Sequence, residues 1–237
     1  MKTVIHKAST RGHANHGWLN SYHTFSFANY HNTERMNFGA LRVLNDDTVA
    51  AGMGFGKHAH DNMEIISIPL KGDLEHEDSM GNKEIIKEGD IQSMTAGTGI
   101  FHSEYNKNKD REVKFLQIWV IPQERNVTPS YSQITLEPEN IHNNLYQIVS
   151  PNANDDGVQI NQQAWFHLGD LEEGTKIEHA LKAKNTGVYA FVIEGSVNIN
   201  GKLLNQRDGL GVTETDLLQI QALTTAKLLL MEVPMQF

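Results

Sequence analysis

Two short runs in this chain carry side chains that can share a cation: His58-Ala-His60 and, some forty residues later, His102-Ser-Glu104. On a β-strand, residues i and i+2 point to the same face, so each run can aim two donor groups in one direction. Three neutral imidazoles and a carboxylate suit a first-row divalent metal such as iron, copper, nickel, manganese, cobalt or zinc. With four protein ligands, a five- or six-coordinate metal keeps one or two positions open for a substrate or dioxygen.

The elements that must position these residues read as strands. Apolar runs are short, rich in Val, Ile, Phe and Tyr, and bounded by Gly, Asn or Asp, as at 63–70, 113–121, 187–193 and 226–233. Many short strands predict an all-β protein, a sandwich or barrel. Asp78-Ser-Met-Gly-Asn82 reads as a hairpin tip, because Gly and Asn tolerate the left-handed backbone of a tight turn. Gly-rich segments precede both runs of ligand-type residues, at 52–57 and 95–101, and suit the bends at a barrel mouth. No long segment has a helical period; a short helix is expected around 126–131 or 165–171.

Bulk composition excludes several functions. The chain has 237 residues and a formal net charge of −9, from 29 acidic and 20 basic residues. No basic stripe is present, so direct binding to nucleic acid is not expected. There is no cysteine, which removes disulfides, thiolate ligands and a Cys nucleophile. No stretch approaches the roughly 18 apolar residues of a membrane span. The N-terminus lacks the apolar run of a secretion signal, so a cytoplasmic location and no membrane partner are expected. Ser103 and Ser130 have no His/Asp arrangement of the kind a hydrolase needs. Gly97-x-Gly99 lies in an all-β context and is no phosphate loop.

A weak repeat divides the chain. Ile68–Leu74 with the corner Glu88-Gly-Asp-Ile91 resembles Phe191–Val197 with Arg207-Asp-Gly-Leu210. Two related β domains follow, with a proline-bearing junction at 122–139: an N-terminal metal-binding domain, residues 1–129, and a C-terminal domain, residues 130–237, without a metal site. Aligning the copies puts Leu181 opposite His58 and Ala183 opposite His60.

These segments resemble the paired motifs of the cupin superfamily. The first fits Gly52-x5-His58-x-His60-x3-Glu64, with Gly72 one place beyond the usual final glycine. The second runs Gly89-x5-Thr95-x-Gly97, then Gly99, His102 and Asn106, with Thr95 where many cupins have proline. More narrowly, the sequence resembles the pirin branch, through Gly17-Trp-Leu, His23-Thr-Phe-Ser-Phe-Ala28, Leu41-Arg-Val-Leu-Asn-Asp46, His76-Glu-Asp-Ser-Met-Gly-Asn82, the stretch from Gly89 to Glu104, and Phe115-Leu-Gln-Ile-Trp-Val120. Ala59 stands where proline is common and Ser93 where a bulky residue is frequent; neither donates to a metal.

The resemblance implies a bicupin, two jelly-roll-like barrels in one chain, with His58, His60, His102 and Glu104 as ligands. Glu64, a ligand in many other cupins, then has a structural role. Iron is the metal the resemblance favours. The implied activity is that of a quercetin 2,3-dioxygenase: oxygenolytic cleavage of a flavonol with release of carbon monoxide. Glu104 would be the base that takes the flavonol proton, and the partners are a flavonol and dioxygen. The same resemblance implies an alternative, a non-enzymatic metal-dependent regulator or redox sensor with a protein partner. An open apolar cleft would favour catalysis and a sealed site sensing. His76 is expected on the strand after Gly72, where it could face the pocket. His13, His16, His23 and His31 are expected at a pocket rim or on the surface. Trp18, Phe25, Phe27, Phe55 and Phe101 are candidates for an aromatic wall.

Overall fold

The structure, a computed structural model, describes residues 1–237. Its twenty-two strands form four antiparallel-dominated sheets. In the first half, a seven-stranded sheet has the order Ser130–Thr135, Asp90–Thr95, Glu64–Lys71, Val113–Val120, Leu41–Val49, Leu19–His23, Gly12–Asn15. A four-stranded sheet closes the other side, in the order Gly54–His60, Ile100–Asn106, Leu74–Asp78, Lys83–Ile86. The second half repeats the plan. Its seven-stranded sheet runs Lys2–His6, Gly209–Thr213, Thr186–Glu194, Ala226–Pro234, Trp165–Leu171, Tyr146–Ser150, Val158–Gln159, and its four-stranded sheet Lys176–Ala180, Leu217–Ala222, Ser196–Ile199, Lys202–Asn205. The all-β, two-barrel expectation holds.

The central strands are apolar on both faces because both faces are covered. Along Val113–Val120, Leu116, Ile118 and Val120 join a 26-residue core that also takes Phe166, Phe191, Leu229 and Met231 from the second half. The two large sheets therefore pack face to face. The alternate residues Phe115, Gln117 and Trp119 point into the first barrel. Phe115 packs with Leu19, Val49, Leu74 and Ile86, and Trp119 against Ile65, Met94 and Ile100. Between these two apolar ends the interior is polar. The interior of the second barrel carries an apolar cluster of 15 residues, among them Val188, Val192, Leu210 and Leu230.

The halves expected as 1–129 and 130–237 exchange a strand each. Ser130–Thr135 pairs with Asp90–Thr95 in the first barrel, and Lys2–His6 pairs with Gly209–Thr213 in the second. Neither segment expected to be helical is a helix. Trp165–Leu171 lies between Ala226–Pro234 and Tyr146–Ser150 with six of its seven residues buried, an environment that demands backbone pairing on both edges. Residues from Ser130 onward form the edge strand just described. The helical turns are Pro138–Ile141 and a 3-10 turn at Ala8–Thr10.

Candidate metal centre

His58 and His60 lie on Gly54–His60, which pairs with Ile100–Asn106 so that His58 is directly opposite His102. The two-residue spacing puts His58 and His60 on one face, and the ring centroids are 4.9 Å apart. The His102 ring lies 4.4 Å from that of His58 and 4.9 Å from that of His60. Ligand atoms of the three residues fall within 4.8 Å of one another. The register shifts between His102 and Glu104. Glu104 falls in a second, overlapping group, with His102 and His76, its ligand atoms again within 4.8 Å of one another. The structure thus brings the three expected imidazoles together and sets the expected carboxylate beside one of them, next to His76.

The chemistry of this donor set fits a divalent transition cation. His102 is 1% exposed and neither ring nitrogen has a hydrogen-bond partner, a costly state for a buried polar group that has nothing to bind. Burial, with smaller contributions from His58 and His76, lowers the His102 pKa to about 3. Burial, then His102 and His58, lowers that of His60 to about 4. Both rings are therefore neutral at pH 7 with a lone pair to offer. The Gly56 carbonyl, 2.8 Å from His58 Nδ1, holds a proton there and leaves Nε2 as donor. Glu104, 2% exposed, accepts from Gln117 Nε2 at 2.6 Å and Ser67 Oγ at 3.2 Å.

A cavity of about 310 Å³ opens onto the group, lined by His58, His60 and Glu104 among others. Phe27, Phe55 and Trp119 supply its aromatic wall. Of the other aromatic candidates, Trp18 packs edge-on against Phe55, Phe25 is buried in the core between the barrels, and Phe101 is 51% exposed. His16 and His23 line the cavity. His13 stacks on Tyr22 at the surface, and His31 is exposed. Asp47 also lines the cavity; burial raises its pKa to about 7, against a lowering by the Ser21 hydroxyl. Glu64 joins neither group of ligand-type residues. It is fully buried and accepts from Thr95 Oγ1 at 2.6 Å; its pKa is raised by burial.

Sequence reasoning passed over Ser67, Gln117 and Asp47, which reach the site by cross-strand register rather than by motif. It also missed His167 and His179 in the second barrel. Their rings are 4.6 Å apart and both are buried. A period-2 reading of Trp165–Leu171 would have turned His167 inward. Leu181 and Ala183, opposite the first-barrel histidines in the repeat, fall in the loop after Lys176–Ala180.

The Pirin family profile matches residues 4–120, and that of the quercetinase C-terminal cupin domain matches residues 147–233. The chain is 41% identical over 230 residues to a quercetin 2,3-dioxygenase of Escherichia coli strain K12, covering 97% of this chain and 98% of the relative. It is 37% identical over 222 residues to a pirin-like protein of Caulobacter vibrioides, covering 93% and 95%. Among solved structures, the bacterial pirin YhhW of Escherichia coli in complex with nickel(II) superposes with a TM-score of 0.93 at 40% identity, covering 98% of this chain and 99% of that one. Two cupin barrels, the paired motifs of the first half and full-length relatives at this level of identity place the chain in the pirin family of the cupin superfamily.

Proposed function

We propose that the protein is a metal-dependent dioxygenase that cleaves a flavonol such as quercetin with release of carbon monoxide, and that His58, His60, His102 and Glu104 hold its metal. The observation that carries this reading is the open cavity: His58, His60 and Glu104 line an aromatic-walled space of about 310 Å³, with His102 grouped behind the two histidines, and the space is within the size range of small-molecule sites. A sensor has no need of such a space. The names of the relatives agree with the reading, and nickel in a related structure leaves iron as one choice among several divalent ions.

The residues of this chain account for binding and proton handling. Phe27 and Trp119, 5.4 Å apart and edge to face, offer a flat ligand apolar contact. Trp119 Nε1 and Asn45 Oδ1 are buried at the cavity without protein partners, one donor and one acceptor for the hydroxyls of a polyphenol. Glu104 is the base. Gln117 and Ser67 hold its carboxylate in place, and it takes the flavonol 3-hydroxyl proton. A bound divalent cation supplies Lewis acidity that lowers the pKa of that hydroxyl. The apolar ends of the barrel keep water from the reacting atoms.

The test is an anaerobic preparation of known metal content, assayed in air with quercetin. Flavonol absorbance is expected to fall with formation of carbon monoxide, and His102→Ala is expected to lose both metal and turnover. A metal-loaded protein that leaves quercetin intact overturns the proposal.

A further inference from the structure

His76 lies on Leu74–Asp78, directly opposite Glu104, while Asp78 on the same strand is opposite His102. The side chains of His76 and Asp78 are 1% and 0% exposed, and His76 Nε2 is 3.2 Å from Asp78 Oδ2. Asp78 is itself clamped by the hairpin tip. Its Oδ1 accepts the backbone N–H groups of Met80 at 2.8 Å and Asn82 at 3.1 Å, and its Oδ2 accepts Asn82 Nδ2 at 2.7 Å. A carboxylate so fixed requires a proton on His76 Nε2, which leaves Nδ1 as a bare acceptor. That Nδ1 is buried and has no partner. Ring nitrogens of His76 and His102 and an oxygen of Glu104 lie within 4.8 Å of one another, with the His76 and His102 rings 5.3 Å apart. Tyr131 backs the His76 ring at 5.0 Å.

We propose that His76 is the outer partner of His102: its Nδ1 accepts the N–H of the His102 nitrogen that does not face the cation, and Asp78 locks the tautomer that makes this work. The inference rests on the metal-site reading above. His102 has two unpartnered nitrogens and two neighbours to satisfy, the cation group on one side and His76 on the other. The bond is not made in this structure, where the two rings stand 5.3 Å apart. Ligating histidines generally give their second N–H to an acceptor, which fixes ring orientation and makes the metal-facing nitrogen more basic. An Asp–His–His chain provides that acceptor here, anchored in a rigid turn. His76 is then a positioning residue, one removed from the metal.

The experiment loads wild-type, His76→Phe and His76→Asn protein with cobalt(II), measuring affinity by competition with a chelator and imidazole N–H protons by paramagnetically shifted NMR. His76→Phe is expected to bind cobalt about 10- to 100-fold more weakly and to lose or shift one exchangeable N–H signal. His76→Asn, whose amide lies where the Nδ1 edge was, is expected to recover most of the affinity and retain the signal; it also serves if the Phe variant fails to fold. Unchanged affinity and N–H signals in His76→Phe overturn the role. A fourth set of shifted histidine ring protons, lost on substituting His76, makes it a ligand and overturns the role as well. Wild-type protein that takes up no cobalt fails earlier, at the metal-site reading itself.

Discussion

Glu104 is buried, and two neighbours on other strands donate hydrogen bonds to it; each donor has a measurable worth. Gln117 gives the shorter bond, 2.6 Å, from a side chain only 8% exposed. Gln117→Leu keeps the volume and removes the donor, so a buried carboxylate oxygen loses its partner. The expected cost is about 1–3 kcal/mol, read as a lower midpoint in denaturant unfolding of the metal-free protein. The second barrel offers a different test. Burial holds His179 at a pKa of about 4 and His167, with a further contribution from His179, at about 3. An unfolded histidine takes up its proton near pH 6.5, so between that pH and the folded value the unfolded state binds more protons. The stability these rings contribute is complete above pH 6.5 and is lost as pH falls toward 4, at about 1.4 kcal/mol per pH unit for each ring. His179→Leu is expected to flatten the dependence of stability on pH by close to one proton between pH 6 and 4.5, measured by denaturant titrations across that window.

Ile100–Asn106 delivers both His102 and Glu104, and the chain enters that strand through a turn that only glycine allows. Gly97 has φ +48°, and a Cβ there would sit 2.0 Å from the Val127 carbonyl oxygen. Gly97→Ala is expected to cost at least about 1–3 kcal/mol and to weaken cobalt binding by displacing His102, both measurable on one preparation. Element-scale geometry also explains what the sequence could convey. His58-x-His60 was legible because side-chain alternation is local to one strand. The pairing of His58 with His102 was inferred only because both runs carried ligand-type residues. Ser67, Gln117 and His76 were not legible as neighbours of Glu104, since that adjacency comes from register among strands separated by up to thirty-seven residues. A short apolar run such as Trp165–Leu171 has no decisive period, so its sequence also admits a helix; its two flanking strands settle the matter.

At the scale of the whole molecule, the two barrels share a face-to-face core and trade edge strands, so neither half is complete without the other. His6, at the end of the traded N-terminal strand, is 2.8 Å from the hydroxyl of Tyr189, and both side chains are buried. Deleting residues 2–6 is expected to lower the melting temperature of the whole chain in one transition. It is also expected to speed amide hydrogen exchange in Gly209–Thr213, whose outer edge the strand covers, while the residues of the metal group stay in place. The division of the chain at residue 129 could not reveal this trade, because a strand's sequence does not name a partner two hundred residues away. During synthesis the traded strand leaves the ribosome about two hundred residues ahead of its partner. That strand must therefore wait, unpaired, while the intervening residues are made, and this edge becomes a place where a chaperone or a neighbouring nascent copy has a long opportunity to bind.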